Sequence, residues 1–173
     1  MKWVALAITA AIAAALLWRW RAGPLPSSVA SEGGGERPAR IVPTHRRALL
    51  VGVGGYAPET GFTPLDGVAN DLAIVAALLA DRFEFEPAEI LVLAEEQATL
   101  EAIVTAFDRH LIAGVLPDGE AFFYFTGHGS RVPDLSGQET DGLDSTFVAY
   151  DSRLQGRHGD WDLCDDMLGS LVR

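Results

Sequence analysis

Three short apolar runs, separated by stretches of helical period, constrain what this chain can fold into more than any other feature. Arg47-Ala48-Leu49-Leu50-Val51-Gly52-Val53 stops at Gly54-Gly55, Ile90 to Leu93 forms a second run, and Ala121 to Phe125 opens into Thr126-Gly127-His128. Continuous runs of this length, without polar alternation, read as strands buried on both faces. Between the first two, Asn70 or Asp71 is expected to cap a helix to about Ala80, with Leu72, Val75, Ala76 and Leu79 on one face. Between the second and third, Thr99 caps a helix through about Ile112, with Glu101 in its first turn and Ile103, Phe107 and Leu111 at helical spacing. Strand, helix, strand, helix, strand predicts an α/β fold with right-handed crossovers and a mainly parallel sheet between helices. Ligands of such sheets bind beyond the carboxyl ends of the strands. Gly54-Gly55 and Thr126-Gly127-His128 both fall there, so these distant segments are expected to meet at one site.

The 173 residues have room for one domain and a tail, and 49% apolar residues suffice for a core. A net charge of −11, with no lysine from Ile41 onward, leaves no basic stripe and excludes nucleic acid as a partner. The acidic excess is either a solvated surface or, where carboxylates cluster, a place for divalent cations or basic peptides. Cys164 is alone, which excludes an intrachain disulfide and a Cys-based zinc site. From Trp3 to Trp18 the chain is uncharged and rich in Ala and Leu, flanked by Lys2, Arg19 and Arg21. Residues 1–22 are therefore expected to associate with a membrane as a single anchor, or to be removed as a signal segment after Ser28-Val29-Ala30. Residues 23–45, rich in Gly, Pro and Ser, read as a flexible linker, and 46–173 as the folded domain.

Two motifs carry chemistry. The Phe-Phe-Tyr-Phe strand ends in Thr126-Gly127-His128-Gly129-Ser130, where flanking glycines let the chain turn and lift an imidazole to the rim of the sheet. There His128 is either a solvated turn residue or a general base. Gly52-Val53-Gly54-Gly55-Tyr56-Ala57 imitates a dinucleotide-binding loop, but Pro58 and further loop residues intervene before any helix. No acidic residue is expected to close the second strand either, so these glycines read as a loop passing close to the site.

Four segments in order resemble one family. Arg47 to Val53, Leu65-Asp66-Gly67-Val68-Ala69-Asn70-Asp71-Leu72, Phe123 to Ser130 and Asp134 through Asp144 resemble the large subunit of metacaspases and bacterial caspase-like peptidases, over about Arg47 to Leu171. The resemblance implies a caspase-like three-layer sandwich and a cysteine endopeptidase acting on peptides or proteins. It makes His128 the catalytic base, places the backbone of Gly129 near the oxyanion, and assigns Asp71 and Thr126 to substrate binding. An aspartate in that pocket favours Arg or Lys before the cleaved bond; a helix cap is the plain alternative for Asp71. No cofactor is required, and the acidic segment is either a solvated turn or a calcium site using Asp141, Asp165 and Asp166.

The family's nucleophile sits in an Asp-x-Cys-His-Ser-Gly-like segment that no part of this sequence matches. Cys164, beside Asp165 and Asp166, is expected to pack into the following helix as a small hydrophobe. The domain is thus expected to be incomplete at its C-terminus, leaving an apolar, unpaired sheet edge that another chain or segment covers while supplying the cysteine. The alternative is a catalytically inactive, membrane-tethered module that binds partners.

Overall fold

The computed structural model describes residues 2–5, 42–56, 58–134, 136–137, 139–153 and 162–171. Four parallel strands form the central sheet: β1 (Lys2–Ala5), β2 (Thr44–Gly52), β3 (Ile90–Ala94) and β4 (Val115–Thr126), in the order β1-β4-β2-β3. Gly52 lies level with Ala94 on one side and Thr126 on the other. Three strands therefore end at one edge, and the loops leaving them emerge together.

The pleat of β2 divides the core. Ala48 and Leu50 face the cluster of Val68, Leu72, Leu79 and Phe85, whereas Leu49 and Val51 face Ile103, Phe107 and Leu111. Ala48, Leu49, Leu50 and Val51 are all 0% exposed, and burying each leucine stabilises the fold by about 1.5–3 kcal/mol. Helix α1 (Val68–Phe83) covers the first face. Helix α2 (Leu100–Ala106) and α3 (Asp165–Leu171) cover the second, so the expected three layers are present.

Thr99 caps α2 as expected, its side chain accepting from the Ala102 N–H at 3.2 Å. Beyond Ala106 the chain widens into a π-turn over Phe107–Ile112, where His110 Nε2 lies 3.1 Å from the carbonyls of both Ala48 and Glu89. Helix α1 departs from expectation. Its cap is Gly67, at φ 99° and without a side-chain cap bond, so Asn70 and Asp71 lie inside the first turn and not before it.

A second, antiparallel sheet was not legible in the sequence. Strands β5 (Gly129–Pro133), β6 (Leu143–Phe147) and β7 (Leu163–Cys164) pair in that order, and the acidic segment connects β5 to β6. Cys164 belongs to β7, opposite Thr146, and stands directly before α3. Strand β2 takes in Thr44 and His45, two residues of the expected linker. At the N-terminus Lys2–Ala5 is a strand beside Glu120–Phe123 of β4, not the start of an apolar helix. The rest of the expected membrane segment lies outside the described residues, and among the described residues no helix is long and apolar enough to cross a membrane.

Candidate active site

The aligned strand ends bring the two motifs together. His128 follows β4, and the loop that leaves β2 wraps it. The Thr63 carbonyl lies 2.8 Å from His128 Nε2. A carbonyl oxygen only accepts, so this bond requires the proton on Nε2 and leaves Nδ1 as the basic nitrogen of the neutral ring. Phe62 stacks on the imidazole at 5.2 Å between centroids and 28° between planes. The His128 N–H donates to the Tyr56 hydroxyl at 2.9 Å, and that hydroxyl donates to the Val148 carbonyl at 3.2 Å. Val148 N–H in turn donates to the His128 carbonyl at 3.0 Å. Gly127 is required here, because a Cβ would stand 2.9 Å from both the Phe125 ring and the Tyr56 hydroxyl.

Tyr56 is 7% exposed, and burial pushes its pKa up to about 12; the bond from His128 N–H opposes the rise, and the charges of Glu95 and Asp162 add to it. Behind Phe62, the Arg153 guanidinium lies 4.8 Å from the ring centroid. Arg153 also donates to Ser130 Oγ and pairs at 3.4 Å with the buried carboxylate of Asp162, which accepts from Thr146 Oγ1 at 2.9 Å.

The glycine loop holds a carboxylate from its own chain. Glu95 accepts from the Gly54 N–H at 3.3 Å and from the Gly55 N–H at 2.8 Å. Glu95 directly follows β3, so an acidic residue does close that strand, contrary to expectation. Its carboxylate sits on the amides that a pyrophosphate would need, which argues against the nucleotide reading more strongly than the missing helix did. Gly54 lets the returning loop close on it, since a Cβ there would lie 2.8 Å from the Leu65 carbonyl, whose residue donates its N–H to the Gly54 carbonyl at 2.9 Å.

Two residues before His128, Thr126 Oγ1 donates to Asp71 Oδ2 at 3.3 Å. Asp71 and Thr126 thus meet at the rim, and Asp71 is exposed there rather than spent as a cap. Gly129 opens β5 opposite Phe147.

The acidic residues assemble differently from the expectation. Asp134, Asp144 and Asp166 bring carboxylate oxygens within 4.8 Å of one another. Asp141 is outside this group: it pairs with Arg131 at 3.4 Å and accepts from the Leu143 N–H at 3.2 Å. Asp165 is also outside it, though its charge bears on Asp144. Asp134 accepts from the amides of Ser136, Gly137 and Glu139 at 2.7–2.8 Å, which with the Ser136 hydroxyl holds its pKa down at about 2. Asp144 is 7% exposed, and its pKa is raised, by burial first and then by the charges of Asp134, Asp166, Asp165 and Glu139.

Tyr56, Phe62, Thr63, Glu95 and Arg153 escaped the sequence reading. The signal that pointed their way was Gly54-Gly55 at a strand end, which marked the loop but not its side chains.

Residues 46–173 match the family described as metacaspase, peptidase C14 domain. Metacaspase-1B of Aspergillus clavatus is 31% identical over 133 residues, 74% of this chain and 31% of that protein. Metacaspase-1B of Aspergillus terreus is 30% identical over 161 residues, 87% of this chain and 41% of that protein. Metacaspase-1 of Schizosaccharomyces pombe is 28% identical over 131 residues, 73% of this chain and 30% of that protein. The chain spans about a third of the length of these relatives. A crystal structure of a Geobacter sulfurreducens protein aligns with a TM-score of 0.56 at 25% identity, covering 75% of this chain and 45% of that one.

Proposed function

The chain belongs to the metacaspase family of peptidases, and from that premise we propose that it carries the histidine side of a cysteine endopeptidase site that cuts peptides or proteins after Arg or Lys. The observation that carries this reading is the Thr63 carbonyl on His128 Nε2, which leaves Nδ1 as the proton acceptor at the rim of the sheet. A thiol is mostly protonated at neutral pH, so a positioned imidazole raises its thiolate fraction and later protonates the leaving amine. The resemblance assigns the thiolate to the family's Asp-x-Cys-His-Ser-Gly-like segment and not to Cys164, which lies in β7 opposite Thr146. The backbone of Gly129, next to His128, is the proposed oxyanion donor. Asp71, oriented by Thr126, supports a cationic side chain before the scissile bond.

Calcium is a separate proposal. The donor set is all oxygen, as a hard cation requires, and the like charges around the buried Asp144 would be relieved by one. Asp144 and Asp166 would hold it, with Asp134 contributing less because amides and a hydroxyl already occupy its carboxylate.

The test offers reporter peptides with Arg, Lys or Asp before the scissile bond to a form of the protein that carries the family's cysteine segment. Cleavage after Arg and Lys, lost in His128→Ala and lowered at least about tenfold in Asp71→Asn, is expected. Cleavage after Asp, or an Arg preference unchanged in Asp71→Asn, sinks the pocket assignment.

A further inference from the structure

Among the described residues, the loop between β2 and α1 makes the polar contacts to the His128 ring and to its amide; its base is tied to β4 by the Val53 N–H on the Thr126 carbonyl at 2.9 Å, and beyond that point a side chain holds it. Thr63 holds the ring, Phe62 stacks on it and Tyr56 holds the backbone N–H. At its start, the loop amides of Gly54 and Gly55 donate to one side chain from another strand end, the Glu95 carboxylate. We propose that Glu95 and Tyr56 are positioning residues for His128: Glu95 clamps the loop through Gly54 and Gly55, and Tyr56 carries that constraint to the histidine backbone.

The physical case rests on connectivity. Gly55 and Tyr56 are adjacent, so fixing the Gly55 amide fixes the stretch of backbone from which the Tyr56 side chain reaches His128. That hydroxyl is used in both directions, accepting from His128 N–H and donating to Val148 O, so it links the loop to the strand end that carries the imidazole. Without the clamp, the Thr63 carbonyl and Phe62 ring lose their register on His128, and the ring no longer keeps its proton on Nε2 alone. Glu95 is itself held at φ 51°, a left-handed conformation that turns its side chain back over the glycine loop.

This inference rests on the reading of His128 as the reactive group, but it is testable without turnover. In the 173-residue chain, ring nitrogen NMR resonances of His128 report tautomer and ordering. His45, with its side chain 73% exposed, serves as a loosely held reference, and His110, bonded to Ala48 and Glu89, as a control for the rest of the fold. Tyr56→Phe and Glu95→Ala are expected to move the His128 resonances toward those of His45 while His110 stays put, and Glu95→Gln, which keeps an acceptor, to retain the wild-type resonances. Unchanged His128 resonances in both loss variants overturn the proposal, as does an equal movement of His110, which would mean general loosening, or a Glu95→Gln that behaves like Glu95→Ala. In a form bearing the cysteine segment, Glu95→Ala should lower kcat roughly 10- to 100-fold at near-constant KM. Failure of that form to cleave any reporter defeats the peptidase reading alone, because the resonances decide the positioning whatever the turnover.

Discussion

Tyr56 gives the site a pH signature of its own. In the unfolded chain the phenol ionises near its usual 10.0, whereas in the fold it ionises only near 12. Between those values the folded state keeps a proton that the unfolded chain releases. The stabilisation is complete below pH 10 and is lost as pH rises through 12, an interval worth roughly 3 kcal/mol. Urea midpoints measured from pH 9 to 12 are expected to fall steeply, and the fall should flatten in Tyr56→Phe. That variant should also be less stable at pH 7 by about 1–3 kcal/mol, since it strands the His128 N–H and the Val148 carbonyl. Equal alkaline slopes in the two proteins would assign the transition to another group.

The β5–β6 hairpin shows how one element can serve structure and charge at once. Asp134 organises the connecting turn through the amides of Ser136, Gly137 and Glu139. Its depressed pKa means that this stabilisation is present above the usual 3.8 and is lost as pH falls through about 2. Protection of the Gly137 and Glu139 amides from hydrogen exchange should therefore survive at pH 4 and vanish in Asp134→Ala. Asp144 has the opposite shift, because burial and neighbouring carboxylates oppose its ionisation. Millimolar calcium at pH 7 is expected to raise Tm by several degrees, and Asp144→Asn to abolish the response. A Tm indifferent to calcium would leave the cluster as a turn with crowded charge.

Across the whole molecule, the outer edge of β4 decides the state of the isolated chain. The sequence gives reason to expect an unpaired sheet edge, with no strand named. Lys2–Ala5 pairs with Glu120–Phe123 of β4, and among the described residues no strand lies beside Tyr124–Thr126 on that side. Removing Met1–Ala5 is therefore expected to unmask the β4 edge and shift the protein toward oligomers in light scattering. An unchanged size distribution would show that the strand does not guard the edge.

The sequence by itself determined the alternation of three parallel strands with two helices, the Thr99 cap and the meeting of Gly54-Gly55 with Thr126-Gly127-His128 at one rim. Each of these follows from apolar period, local capping chemistry or the rule that loops gather at strand carboxyl ends, whereas the place of Asp71 came from the resemblance to the family. Only the tertiary structure decided which groups hold His128, because Tyr56 and the Thr63 carbonyl reach it across 72 and 65 residues, and Glu95 reaches Gly55 across 40. It also decided that Asp134 and Asp144, not Asp141, stand beside Asp166. Every carboxylate in that segment looks alike in the sequence, and the pairing of β5 with β6 alone sets which of them turn inward and which meet an arginine.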